Sequence, residues 1–302
     1  MSAHWIQQAA ADLGIECRMN EPLASHTTMG VGGPAPFLLM PRTTEALAAI
    51  VRELASHRER FRILGAGSNV IVADEGVRTP VVCSGMLEAP IEREGNRVRA
   101  AAGVLLPRLV RELAGLGLSG LEFAEGIPGS VGGALRMNAG AGGRWLGDAV
   151  REVVCVTLAG AIERRAPVQG DFGYRRSFIG DGGLVAAEAV FEGAPDDPAL
   201  IRERMRDSRA YRLATQPLSE RSSGCIFKNP EGGSAGALLD GLGLKGMSAG
   251  GAFLSEIHAN FIVNRGGTAA DILALAERLR RTVLERTGTS LELEVVVWRD
   301  EP

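Results

Sequence analysis

"EFAEGIPGSVGGALRMNAGAGG", residues 122–143, sets Pro128 in a glycine frame, follows it with the Gly132-Gly133 pair and adds a polar Asn138. Glycine at this density lets a backbone approach another group closely. Neither a core helix nor a solvated loop needs this combination. The stretch therefore predicts a loop that meets a ligand with its main chain. The candidate contacts are Gly126, Pro128, Gly129, Ser130, Gly132, Gly133, Asn138 and Gly140.

A second glycine loop lies upstream in "RILGAGSNVIVADEG", residues 62–76. Two apolar runs flank "GAGSN", which reads as strand, turn, strand. Closely spaced N–H groups over Leu64, Gly65, Ala66, Gly67, Ser68 and Asn69 form a concavity suited to phosphate oxygens; an ordinary tight turn is the alternative. The motif lacks the third glycine and the following helix of a Rossmann fingerprint, which weakens a plain nicotinamide dehydrogenase. Together the two loops predict a dinucleotide cofactor between two lobes. The first loop takes the pyrophosphate, and the second approaches an isoalloxazine or ribityl edge.

The rest of the chain supplies a frame for these loops. Leu47, Ile50, Val51 and Leu54 recur at helical spacing behind a threonine pair, predicting a helix over 43–55. A strand at Val81–Cys83 completes a small α+β lobe. A helix near 105–116 and apolar strands in "REVVCVTLAG" and "GLVAAEAVFE" form a second. "DDPALIRERMRDSRAYR" opens a helix with Asp and Pro and leads into the third lobe. There Thr268 and Asp271 form a capping box, Ile272, Leu275, Leu279 and Val283 line one helix side, and "FIVN" and "LELEVVVW" are strands. The division is 1–84, 85–198 and 199–302.

Composition excludes several classes. The four cysteines, Cys17, Cys83, Cys155 and Cys225, lie far apart with no CxxC pair, arguing against a disulfide framework and fitting a reducing, cytoplasmic compartment. No His/Cys/Asp spacing indicates a metal. No basic stripe accompanies the net charge of −3, so nucleic acid is not an expected partner. Neither a secretory leader nor a membrane span is expected.

Three short segments carry reactive groups. "DFGYRRSF" offers Tyr174, Arg175 and Arg176, and an arginine can clamp a carboxylate through paired hydrogen bonds. "LELE" ends in Glu294, which strict alternation places beside Val296 and Trp298, where apolar neighbours raise a carboxyl pKa; on a solvated sheet edge it is an ordinary carboxylate. "SSGCIFKNP" offers Cys225, Lys228 and Asn229. A lone cysteine is usually inert packing; with Lys228 near, this one is a candidate thiolate or proton donor. As a nucleophile it would need a base such as His258, itself open to a reading as a satisfied core histidine.

The motifs "HTTMGVGG", "LGAGSNVIVAD", "GIPGSVGGALRMNAG", "FGYRRSFI", "GCIFKNP", "GGAFLSEIHANFIVN" and "LELEV" occur in one order across nearly the whole chain. In this it resembles the UDP-N-acetylenolpyruvoylglucosamine reductases, in their compact type without an added tyrosine loop between 180 and 200. The resemblance implies an α+β, three-lobe flavoenzyme: a two-lobe FAD-binding fold like that of vanillyl-alcohol oxidase relatives, and a C-terminal substrate domain. It implies noncovalent FAD, NADPH as reductant and a UDP-sugar substrate; separately, no membrane partner and a monomeric chain are expected. It carries catalytic roles onto Arg175, Glu294 and position 225, and substrate contacts onto Tyr174, Lys228, Asn229 and His258. Hydride then passes from flavin N5 to the enolpyruvyl methylene and a proton comes from Cys225, where the family pattern "GSxFKNP" has serine. An FAD-dependent oxidase of small alcohols or lactones, and a cysteine hydrolase using Cys225 and His258, are the competing readings.

Overall fold

The computed structural model describes residues 4–300, so the outer ends of the first and third predicted lobes, residues 1–3 and 301–302, lie outside it. The chain divides into two compact units. One comprises the segment up to Asn20 with Pro36–Ala66 and Thr79–Ala210; the other comprises Glu21–Ala35, Gly67–Arg78 and the chain from Tyr211 onward. The chain passes between the units several times, and one passage falls inside "GAGSN", directly after Ala66.

The larger sheets of the first unit have four and five strands. In one, Val81–Cys83 runs parallel to both Arg62–Leu64 and Pro34–Met40. The helix Thr44–Ser56 buries Leu47, Ile50, Val51 and Leu54 completely in the unit's core, against the strands Val150–Thr157 and Leu184–Glu192, and Thr43 accepts Ala46 N–H at 3.1 Å as the cap. The other sheet has five antiparallel strands centred on Val150–Thr157 and Leu184–Glu192. Their near-continuous apolar sequence follows from burial on both faces, and Val153, Ala189 and Phe191 have no exposed surface. The helix Leu106–Gly115 packs its Leu106, Leu109, Val110 and Leu113 into the same core.

In the second unit, Arg221–Cys225, Phe261–Asn264, Ala252–Leu254 and Ser248–Ala249 form an antiparallel sheet. The helix Ala269–Thr287 lays Ile272, Leu275, Leu279 and Val283 into this unit's core. Its predicted capping box is present, with Thr268 and Asp271 exchanging backbone and side-chain bonds, and Asp74 adds bonds from Ala269 N (2.8 Å) and Ala270 N (2.9 Å). The helix Pro198–Thr215 starts where Asp and Pro indicated, with Asp197 Oδ1 accepting Ala199 N–H at 2.8 Å. Among the described residues no helix is long and apolar enough to cross a membrane.

Two strand readings change. The runs flanking "GAGSN" do not pair with each other: Arg62–Leu64 joins Val81–Cys83, whereas Val70–Val72 pairs in parallel with Val296–Trp298. The expected strand over Leu291–Trp298 is regular only at Val296–Trp298. Alternation holds through the buried Leu291 and Val295, then slips, because the next buried residue is Trp298. Glu294 therefore does not share a continuous strand face with Trp298.

Candidate active site

The first unit gathers the second glycine loop around Gly65. A Cβ on Gly65 would stand 2.8 Å from Ser130 Oγ, with Gly133 backbone behind it, and a Cβ on Gly85 would meet Gly65 O at 2.7 Å. Gly103 presses on the Leu87 carbonyl. Gly132 lies against Ala102, donating its N–H to Ala102 O at 2.8 Å, and a Cβ on it would reach the Ala102 methyl at 2.9 Å. Gly126 and Gly129 have φ of 77° and 130°, backbone that side-chain-bearing residues rarely adopt. Leu64 is buried, Ala66 half-buried and Pro128 exposed.

In the middle of this close-packed backbone Ser130 is 1% exposed, and its hydroxyl has no hydrogen-bond partner among the described residues. A buried, unsatisfied hydroxyl costs about 1–3 kcal/mol, and a phosphate oxygen would satisfy it. Gly85 and Gly103 were not among the candidates from sequence. Each is a single glycine after a strand, and no local motif marks it.

Asn138 and Gly140 have work inside the protein. Gly140 lies under the Trp145 ring, which leaves no room for a Cβ. Asn138 is 3% exposed at φ 42°; its amide donates to Gly173 O at 3.0 Å and its oxygen accepts Gly147 N–H at 2.9 Å. Gly173 begins the turn that carries Tyr174 and Arg175, between Phe172–Gly173 and Arg176–Ser177. The turn's far side is fixed by Ser177 Oγ donating to Arg136 O at 2.9 Å. At the tip, Arg175 takes φ 56° and its guanidinium lies 5.7 Å from the Trp145 ring and 5.3 Å from Tyr174. Asn138→Ala removes two bonds and leaves Gly147 N and Gly173 O unpaired. It is expected to lower urea-unfolding stability by about 3 kcal/mol; an unchanged midpoint would show that these bonds contribute nothing.

The second unit holds the other half of the first loop. Gly67 backs onto the His26 carbonyl and accepts Thr28 N–H at 3.1 Å through its own oxygen; Ser68 is half-buried. Asn69 is tied to Glu294: its amide donates to Glu294 O at 3.1 Å, and Val296 N donates to Asn69 O at 3.0 Å. Glu294 N in turn donates to Ile226 O at 2.8 Å, and Lys228 N to Glu292 O at 2.8 Å. This short antiparallel register, centred on Phe227 and Leu293, places Glu294 opposite the residue after Cys225.

Cys225 ends its strand at a bulge, where Gly224 takes φ 77° and the register with Phe261–Asn264 shifts. The thiol is half-buried. Lys228 does not bring its charge to the thiol as the spacing implied; its ammonium pairs with Glu292 Oε2 at 3.2 Å. Asn229 Oδ1 caps the helix Ala235–Gly241 through Ala235 N–H at 3.1 Å. His258 accepts Asn260 N–H on Nδ1 at 3.1 Å and packs on the Phe261 ring, and burial lowers its pKa. That nitrogen is occupied and cannot serve Cys225 as a base.

The structure thus joins Cys225, Glu294 and Asn69 in one unit, and Ser130, Gly65, Tyr174 and Arg175 belong to the other. A family model for an FAD-binding domain matches residues 35–165, spanning both glycine loops. A model for the C-terminal domain of UDP-N-acetylenolpyruvoylglucosamine reductase matches 216–298, spanning Cys225 and Glu294. The UDP-N-acetylenolpyruvoylglucosamine reductase of Geobacter sulfurreducens is 42% identical over 292 residues, 96% of this chain and 97% of its own. The Bacillus subtilis reductase is 41% identical over 92% of each chain. The chain belongs to the UDP-N-acetylenolpyruvoylglucosamine reductase family.

The crystal structure of the Thermus caldophilus family member agrees: 39% identity, TM-score 0.79, covering 94% of this chain and 99% of that one. Within the family frame the chain is α+β, with an FAD-binding domain followed by a C-terminal domain. Tyr174 and Arg175 fall between the two matched segments. So does Arg212, a half-buried cation that no sequence motif singled out.

Proposed function

We propose that the chain reduces UDP-N-acetylglucosamine enolpyruvate to UDP-N-acetylmuramate, a step of peptidoglycan precursor synthesis, with NADPH as reductant and noncovalent FAD as the carrier. The observation that carries this reading is the likeness to reductases of this name over almost the whole chain, C-terminal domain included. An alcohol or lactone oxidase would share only the FAD-binding part. The finer architecture proposed is a flavin fold like that of vanillyl-alcohol oxidases in two lobes, 1–84 and 85–198, with a substrate domain from 199.

The residues present fit FAD. Ser130 offers an unsatisfied hydroxyl beside the side-chain-free Gly65 and Gly133, a place for a pyrophosphate oxygen. Bound FAD supplies the hydride chemistry, taking a hydride from NADPH and passing it to the methylene carbon of the enolpyruvyl ether.

The chain's own groups handle charge and proton. Hydride addition at the methylene leaves an electron pair on the neighbouring carbon, delocalised into the substrate carboxylate. Arg175 is proposed to hold that carboxylate through paired N–H donors. Glu294, in its protonated form, donates a hydrogen bond to the charge as it appears. The Cys225 S–H then gives its proton to the carbon: the carbon's pair becomes the new C–H bond, and the S–H pair stays on sulfur as thiolate. A thiol with an ordinary pKa of about 8.5 gives up a proton far more readily than an alcohol. Tyr174, Lys228, Asn229 and His258 are proposed to contact the UDP-sugar.

The test is direct. Purified protein is expected to release flavin on denaturation, and to consume NADPH in equal amount to the UDP-N-acetylmuramate formed, without oxygen. A flavin-free protein, or NADPH oxidation that needs oxygen rather than the enolpyruvyl substrate, would sink the reading.

A further inference from the structure

We propose that Asn69, the last residue of "GAGSN", is a positioning residue for Glu294: its carboxamide fixes the Glu294 peptide and so aims the carboxyl group at the charge that develops on the substrate. This deepens the proposed function and rests on the reading of Glu294 as a hydrogen-bond donor in the reaction. The sequence placed Asn69 among the cofactor contacts; its amide nitrogen is bonded to the Glu294 carbonyl, at 3.1 Å.

The strands Val70–Val72 and Val296–Trp298 run in parallel, with Val70 opposite Val296. The rung before that pair is present, Val296 N donating to Asn69 O at 3.0 Å. One step further back, a continued parallel ladder would run from the Asn69 main-chain N–H to Glu294 O. The regular strand has ended by then, and the Asn69 side chain makes that bond in place of the main chain. One residue thus holds the peptide groups on both sides of Val295, which is itself 4% exposed.

The other side of Glu294 is anchored to the segment of Cys225. Glu294 N donates to Ile226 O at 2.8 Å. Ile226 and Phe227 have no exposed surface, and Ile226 N donates to Asn260 O at 2.8 Å. The buried Asn260 carboxamide takes Phe227 N–H at 3.0 Å and donates to Phe227 O at 2.8 Å. The Glu294 N–H therefore meets a partner fixed on its far side, and its C=O is fixed through the Asn69 side chain. Burial of Leu291 and Val295 sets the path of the chain. The rotation of each peptide plane is set by its directional hydrogen bonds.

A second tie from the same loop points the same way. Gly67 O accepts Thr28 N–H at 3.1 Å, and Thr28 Oγ1 donates to Ser222 O at 2.7 Å, on the strand Arg221–Cys225. The segment Gly67–Asn69 is thus bonded toward both stretches that carry the proposed reactive side chains. Glu294 is half-buried, and the direction of its side chain follows the peptide that bears it. Without the Asn69 donor, Glu294 O turns toward water and the Cα–Cβ bond turns with it. Misplacing a reacting group by about 1 Å costs on the order of 10²-fold in rate.

The experiment is a double-mutant cycle on the flavin-loaded protein: Asn69→Ala, Glu294→Ala and the two together. It is read by stopped-flow reoxidation with the enolpyruvyl substrate and by the flavin retained after gel filtration. Asn69→Ala is expected to slow reoxidation about 10- to 10²-fold, with reduction by NADPH within about twofold of native and flavin content unchanged. In the Glu294→Ala background the same substitution should cost less than about threefold more, because the group it positions is gone. Asn69→Asp keeps the shape, and its ionised carboxylate cannot donate; it should match Asn69→Ala at neutral pH, and replaces it if the alanine variant does not fold. Independent, multiplying losses with Glu294→Ala itself slow overturn the positioning role and leave the reading of Glu294 standing. Lost flavin with native reoxidation once flavin is resupplied makes Asn69 a cofactor contact and overturns the proposal too. Native reoxidation by Glu294→Ala removes the reading of Glu294, and the proposal with it.

Discussion

Cys225→Ala is expected to slow substrate-driven reoxidation of the reduced enzyme by about 10²- to 10⁴-fold, the range typical of losing a general acid. Reduction by NADPH should change less than about twofold, since no proton from Cys225 enters that half-reaction. Stopped-flow absorbance in the flavin band separates the two. Cys225 pairs with Phe261 through its main chain, which truncation of the side chain leaves in place, so the fold should survive. Cys225→Ser is the sharper comparison. Both side chains carry a proton, but only the thiol titrates near neutrality. The native rate should fall as pH rises through the thiol pKa, because the donor must be protonated; the serine variant should show no such limb. Iodoacetamide should inactivate the native chain and spare the serine variant. Reoxidation of Cys225→Ala at the native rate would make Cys225 packing and send the search for the proton elsewhere.

Local patterns of the sequence located most elements but not their partners. The helix Thr44–Ser56 and the capped helix Ala269–Thr287 were legible because spacing and caps are local properties. The two strands around "GAGSN" were legible as strands, and their partners were not. Each pairs in parallel with a segment far along the chain, Val81–Cys83 or Val296–Trp298, and parallel pairing has no hairpin signal. The same cause hid the slip after Val295, where pairing with Val70–Val72 overrides the alternation. At the candidate site, Cys225 and Glu294 were found from their segments, and the register through Phe227 and Leu293 explains why they share a neighbourhood. The cation does not follow the spacing: Lys228 is three residues away in sequence and turns to Glu292.

Arg175→Lys is expected to lower kcat/KM about 10²- to 10³-fold, the loss seen when a donor to developing charge is removed, equivalent to roughly 3–4 kcal/mol. Lysine keeps the charge and loses the planar fork, so a large effect identifies paired donation rather than simple attraction. The backbone supplies an independent argument. Arg175 holds φ 56° at a turn position that glycine or asparagine usually fills, and such strain costs of order 1–3 kcal/mol. Arg175→Gly relieves the strain and gives up the contacts to Trp145 and Tyr174, each worth about 0.5–1 kcal/mol when exposed. The two effects offset, so its unfolding free energy should stay within about 1 kcal/mol of native while turnover falls at least as far as in Arg175→Lys. A residue kept in a strained turn at no gain in stability is retained for what its side chain does. If Arg175→Gly is instead several kcal/mol less stable and Arg175→Lys turns over normally, the arginine is a structural strut for the turn and the carboxylate is held by another group.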